Sequence, residues 1–307
     1  MSNTIQIQKS LEFTGHKGAI YSVTKADKAG SFFTGGGEGQ IVKWSLDNPD
    51  QGQVVAQIDS RVFSLLYLEH LNLLLVGNME GGLYWIDLRE MKVLSSSANH
   101  TNGVFDIHYL DDVIYTFGGD GKLTKWSIDS RMPIETLHLA GYSLRGASRL
   151  KTTALIAVGS SDNAIYLVDF KNMRLVDRID DAHDSSVFSV KFTTDGRHLL
   201  SGGRDAHLKV WDVDQNFRNI VSHPAHMFTV NYLEVLTGKN LVATASRDKT
   251  IKLWDLETFD LVKVIDTLKN NCHINSVNRL LWLENEDRLI SVSDDRRAMA
   301  WQIDITA

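Results

Sequence analysis

The sequence predicts an all-β, seven-bladed β-propeller with four antiparallel strands per blade and the last blade closed by the N-terminal strand. Three observations carry this. An apolar slot, most often tryptophan, recurs at positions 44, 86, 126, 168, 211, 254 and 301, spaced by 42, 40, 42, 43, 43 and 47 residues. A period near 40–45 residues is that of a propeller or a solenoid. Each copy divides into short alternating segments separated by Gly- and Asp-containing turns, with no helical period sustained over a dozen residues. The chain is 307 residues long, more than one ordinary core fills, so a core divided among units is expected.

Within a copy the strands follow one order. A segment such as AIYSVTK (19–25) or SVFSVKF (186–192) comes first. A turn such as TTDG (193–196) and an apolar run such as HLLSGG (198–203) follow. A tight Asp-containing turn then leads into an alternating strand ending at the tryptophan slot. A fourth strand, as in DLVKVID (260–266), leads to the next copy. The whole of 1–307 reads as one such propeller. The chain stops soon after the third strand of the last copy, so a strand at about 4–13 is expected to supply the missing fourth one and remove two open sheet edges.

Composition narrows the function. The chain is 43% hydrophobic and 23% charged, with a formal net charge of −6 and a pI near 6.0. A general nucleic-acid binder needs a basic face to displace counterions, so nucleic acid is not the expected partner. Cys272 is the only cysteine, which rules out an internal disulfide and a cysteine-built metal site. MSNTIQIQ lacks the basic and apolar parts of a secretory leader, and no apolar run approaches the roughly 20 residues that span a bilayer. The expectation is a cytoplasmic, monomeric protein without membrane attachment or cofactor. No P-loop, dinucleotide fingerprint, G-x-S-x-G or H-E-x-x-H is present.

At this point the sequence resembles the WD-repeat β-propellers over essentially its whole length. Trp211-Asp212 and Trp254-Asp255 carry the name dipeptide. Gly15-His16 keeps the Gly-His that opens a repeat, and Ala182-His183 and Ala225-His226 keep its histidine. The dipeptide departs to Trp-Ser in repeats one and three, Ile-Asp in two, Val-Asp in four and Trp-Gln in seven.

Five repeats also hold a histidine, a hydroxyl, a turn acid and a tryptophan in fixed order. These are His16, Thr34, Glu38 and Trp44; His100, Thr116, Asp120 and Trp126; His183, Ser201, Asp205 and Trp211; His226, Thr244, Asp248 and Trp254; and His273, Ser291, Asp295 and Trp301. Any one set looks like a Ser/His/Asp hydrolase site. An enzyme needs one activated nucleophile, not five similar ones. The indole N–H would also bind the hydroxyl that should attack. The resemblance implies a structural tetrad in each blade, and mutual satisfaction of buried polar groups is reason enough for one. No catalytic residue is therefore assigned. Repeats two and four offer Val76, Glu80 and Ile86, and Val158, Asp162 and Val168. They are expected to be rebuilt as hydrophobic blades, because a half-kept network is worse than none.

The resemblance implies a narrower face on which such propellers commonly grip peptides or protein loops. Two sets of residues should point there: those early in each first strand and those just before each turn acid. The first set supplies Tyr21, Phe63, Phe105, Arg145, Phe188 and Tyr232, and the second Arg204 and Arg247. Aromatic residues give rigid contact area and arginine recognises carboxylates. With Arg296-Arg297 after the last turn acid, blades five to seven look basic. The expected function is a non-enzymatic protein-interaction scaffold. One rival is an enzyme with a channel-centred site, for which Asp106 alone is expected to face the channel. The other is a nucleic-acid-associated adaptor using the Arg204/Arg247 sector. Aromatics that merely fill the tapering centre and arginines that are merely solvated compete with all three.

Overall fold

The computed structural model describes residues 4–306. Seven four-stranded antiparallel sheets stand around one axis. Six take consecutive strands, spanning 20–57, 62–97, 104–138, 144–179, 187–224 and 230–265. The seventh takes Val277–Leu283, Arg288–Ser293 and Arg297–Thr306, and its outer strand is the N-terminal Thr4–Thr14. That strand pairs along its length with Arg297–Thr306, so both ends of the chain lie in one sheet.

Seven apolar clusters hold the ring, one at each junction between neighbouring blades. Phe33 and Ile41 of blade one, for example, pack on Leu65, Val76 and Ile86 of blade two. Each sheet thus buries both inner faces against its neighbours, and the outer strands stay wet: all but the last residue of Arg174–Ile179 are exposed. The first strands, which line the channel, also join blade to blade through side chains. Ser22 and Ser64 donate to Val62 O and Val104 O, and Asp106 accepts from Ala147 N. Ser148 and Ser189 accept from Phe192 N and Leu233 N. Asn231 donates to Val277 O, and Asn278 closes the circle on Ile20 O at 2.9 Å.

The long last spacing is explained by a four-residue helix, Thr267–Asn270, in the connection from blade six to blade seven, capped by the Asp266 side chain. Turn geometry also constrains sequence. Gly121 adopts φ +77°, and a Cβ there would strike the Ala140 carbonyl oxygen. Gly121→Ala is expected to lose more than about 1 kcal/mol in a urea unfolding curve.

Candidate functional site: the channel mouth

All five tetrads form. In blade five His183 Nδ1 lies 2.9 Å from Asp205, its Nε2 lies 2.7 Å from Ser201 Oγ, and Trp211 Nε1 donates to that same oxygen at 2.8 Å. The ionised carboxylate only accepts, so Nδ1 carries the hydrogen and Nε2 accepts from the hydroxyl. The same chain runs through Glu38, His16, Thr34 and Trp44 in blade one, and through Asp120, His100, Thr116 and Trp126 in blade three. It runs through Asp248, His226, Thr244 and Trp254 in blade six, and through Asp295, His273, Ser291 and Trp301 in blade seven. Burial alone would raise the Asp205 carboxyl. The His183 hydrogen bond and charge, with the N–H groups of His207 and Asp184, outweigh it and hold the group at about 2. Each tetrad carboxylate also accepts the N–H of the residue after its histidine: Lys17, Thr101, Asp184, Met227 or Ile274. The tetrad therefore fixes the loop that enters its own blade.

Blades two and four depart from the expected all-apolar rebuild. Their slots are apolar and buried, at Val76, Ile86, Val158 and Val168. A polar tie survives at the turn. Asn78 Oδ1 accepts from Glu80 N at 3.1 Å and Gly82 N at 2.7 Å, while Asp162 accepts from Tyr166 Oη at 2.6 Å. The turn still needs acceptors for its own N–H groups, whatever fills the core beneath it.

The face these loops define is built by a repeated irregularity. Every first strand shifts register against its neighbour after its first paired residue. The shifts fall between Ile20 and Ser22, Val62 and Ser64, Val104 and Asp106, Leu144 and Gly146, Val187 and Ser189, Val230 and Tyr232, and Val277 and Arg279. The residue skipped each time is Tyr21, Phe63, Phe105, Arg145, Phe188, Asn231 or Asn278. A β-bulge leaves one residue out of the ladder and re-aims its side chain. All seven of these residues, with Gly146, Tyr232 and Arg279, line one recess of about 170 Å³.

Across blades one to five the bulge side chains touch in succession. Tyr21 meets Phe63 edge-on at 5.4 Å, and Phe63 stacks on Phe105 at 5.3 Å. The Arg145 guanidinium carbon sits 4.2 Å from the Phe105 ring centre and 5.1 Å from that of Phe188. Asn231 and Asn278 instead turn sideways into the ring of interblade bonds. At its bulge positions the recess thus takes an aromatic ring from four blades, Arg145 from between two of them, and an asparagine from each of the last two.

The expected partner-binding residues divide. Tyr21, Phe63, Phe105, Arg145, Phe188 and Tyr232 come together in the recess. Arg204 and Arg247 do not line it; they stand exposed on the rim. Arg247 N donates to Thr229 O, which places it beside the exposed Phe228. The basic sector expected over blades five to seven is also reduced. Arg297 bonds Glu12 at 3.1 Å and Asp295 at 2.9 Å, so its charge is spent within the clasp.

Beneath the recess the channel is crossed by charge. Arg279 reaches from blade seven to Asp106 of blade three at 3.0 Å and to Phe63 O of blade two at 3.1 Å, with Tyr232 at 4.9 Å from its guanidinium carbon. Asp106 also holds His108 at 3.0 Å, and Lys191 pairs with Glu234 at 3.1 Å. The expectation that Asp106 alone faces the channel is therefore corrected: His108 and Glu234 join it in a 510 Å³ cavity opening on the other face. Residues far apart in the chain make this cluster, so no local pattern announces it. Burial would raise the Asp106 carboxyl, but His108, Arg279 and the Ala147 N–H hold it well below the usual carboxylate range. A carboxylate so held is a poor general base near neutrality. Arg279→Met is expected to cost about 2 kcal/mol in a thermal melt, by leaving a charged acceptor short of its partner.

Comparisons with known proteins agree with this architecture. The family model for the WD domain, G-beta repeat matches residues 176–212 and 217–255. Each match begins in the outer strand of one blade and ends in the third strand of the next, the offset that lets the N-terminal strand finish blade seven. The two matched repeats are those holding both a full tetrad and the Trp-Asp dipeptide. The chain is 24% identical over 336 residues to the Arabidopsis thaliana WD repeat-containing protein ATCSA-1, covering 94% of this chain and 72% of that protein. It is 25% identical over 180 residues to the Homo sapiens pre-mRNA-processing factor 17, covering 57% of this chain and 30% of that one. A crystal structure of the WD40 beta propeller domain of Doa1 superimposes with a TM-score of 0.85 at 19% identity, covering 97% of both chains.

Proposed function

We infer that this chain, a WD-repeat β-propeller, is a non-enzymatic scaffold that docks a segment of a partner protein at the narrow-face channel mouth and rim. Protein interaction is the general work of such propellers. The site on this one is carried by a single observation: seven bulges aim seven side chains into one recess, five of them in an unbroken aromatic–arginine arc. Bulges used only for packing would not leave three phenylalanines and a tyrosine half-exposed in one solvent-open mouth. Around the recess the tetrad-pinned loops present Met227 at 84%, Phe228 at 56% and Ile274 at 60% exposure, with Arg204 and Arg247 nearby on the rim. A partner segment that brings an apolar anchor to this surface with acidic residues beside it fits the mouth and rim together. Action as a cytoplasmic monomer belongs to the same proposal.

The test is affinity capture with wild-type bait against Phe105→Ala/Phe188→Ala/Arg204→Glu/Arg247→Glu, after circular dichroism and melting show that the variant folds. A protein retained by the wild type, lost by the variant and then bound directly when purified supports the reading. Equal retention by both moves the interface to the blade edges or the other face. The match to a pre-mRNA-processing factor makes single-stranded RNA the second probe. RNA binding that collapses between 50 and 200 mM salt, roughly the span over which phosphate contacts are lost, would favour the adaptor reading instead.

A further inference from the structure

We propose that the recess at the channel mouth is a receptor for one carboxylate side chain, of aspartate or glutamate, which docks end-on against Arg145. The inference rests on the mouth being the docking site and names what that site recognises.

Arg145 is held as a receptor group. Its guanidinium carbon lies over the rings of both Phe105 and Phe188, at 4.2 and 5.1 Å from their centres. Its Nε donates to Ser161 Oγ at 3.0 Å, which fixes one edge. Its two terminal nitrogens have no hydrogen-bond acceptor and no carboxylate partner among the described residues, yet the side chain lines the open recess. Burial pulls its pKa down and no charged neighbour pulls it back. The other arginine of the recess, Arg279, differs at its terminal nitrogens, which are bonded to Asp106 and to a backbone carbonyl. A desolvated guanidinium with one edge fixed, two rings against it and its fork free is preorganised for a bidentate acceptor.

Charge and size narrow the acceptor. Arg145 and Arg279 are the charged side chains that line the recess; Asp106 neutralises Arg279, and Asp294 accepts from Asn278, which leaves Arg145 as the lining cation without a bonded anion. A carboxylate completes it, whereas a phosphate ester brings a second negative charge that nothing there meets. A recess of about 170 Å³ has room for about five or six waters at their liquid volume, which is one side chain and not a folded segment.

The experiment displays a randomised, C-terminally amidated peptide library to the full chain and to Arg145→Met, Ser161→Ala and Phe63→Ala. Wild type should enrich peptides with Asp or Glu at one fixed position beside an apolar residue. Changing that acid to its amide should weaken binding about ten- to hundredfold. Arg145→Met should lose the preference, and Ser161→Ala, which keeps the charge but frees the Nε edge, should weaken it several-fold even where Arg145→Met folds poorly. Enriched peptides without a fixed acid, tighter binding of a phosphoserine than of a glutamate version, or an acid preference unchanged in Arg145→Met would overturn the carboxylate receptor while leaving the mouth as the docking site. Binding indifferent to Phe63→Ala would remove the mouth, and the receptor with it. A free-acid library enriched for its C-terminal carboxylate alone would show that the terminus, not a side chain, is read.

Discussion

Phe13→Ala is expected to cost about 3–5 kcal/mol of folding stability, among the largest effects of any single core substitution in this chain. Phe13 lies on the N-terminal strand and is fully buried. Its ring meets Phe32 edge-on at 5.0 Å and Trp44 at 5.7 Å, both in blade one. It is therefore a contact of blade seven's added strand with blade one, made at the junction where the ring closes. Truncation loses the transfer energy of the ring and leaves a cavity that two further aromatic rings cannot close. It also weakens the strand that covers the edge of Arg297–Thr306. The midpoint of a urea unfolding curve should fall without a change in slope if the ring still unfolds as one body. A lower slope with early exposure of blade seven would show that the clasp opens first. A loss under about 1 kcal/mol would contradict the cavity reasoning.

Much of this architecture was legible because it repeats. The tryptophan slot is narrow in what it admits: only an indole can both fill the junction and donate to the blade's hydroxyl. Trp44, Trp126, Trp211, Trp254 and Trp301 each do so. The tetrads were legible for the same reason, since each member is the partner of another. The ties at Asn78 and Tyr166 were not, because neither residue belongs to the four slots that recur together as a set. Nor were the bulges. A one-residue slip in a strand leaves composition and spacing unchanged, so the sequence points Phe63 and Phe105 to the narrow face without showing that a bulge aims them there. The Arg279–Asp106 bar joins residues 173 apart in the chain, and only the closed ring brings them together. Arg204 and Arg247 illustrate the converse: their position before the turn acid was legible, but that position is the rim and not the mouth.

The other large effect is expected from cutting a tetrad. His183→Ala removes the centre of the chain in blade five. Asp205, whose side chain is 7% exposed, loses its main partner, and Ser201 loses the acceptor that orders the hydroxyl to which Trp211 donates. Leaving a buried carboxylate without its hydrogen-bond donor, beside the cavity left by the imidazole, costs about 3 kcal/mol. Ser201→Ala, which strands only neutral groups, should cost about 1–3 kcal/mol. A catalytic set would behave oppositely, with the serine dispensable for stability.

Acid provides the complementary measurement, and its sign follows from the direction of each shift. Burial lowers His16, His100 and His226 below their ordinary 6.5, even though their carboxylates pull upward. The unfolded chain therefore takes up protons below 6.5 that the folded chain refuses. That contribution to stability is whole above 6.5 and is lost as pH falls. Asp205 is held at about 2 against an ordinary 3.8. Its contribution, about 2 kcal/mol, is whole above 3.8 and is lost as pH falls toward 2. The melting temperature should thus fall in two windows on acidification, first below 6.5 and again below 3.8. Asp205→Asn should flatten the lower window, because an amide has no proton to take up there, and leave the upper one in place. A melting temperature that rises between pH 7 and 5 would mean that His16, His100 and His226 are stored as cations, with Nε2 donating to the hydroxyl instead of accepting from it.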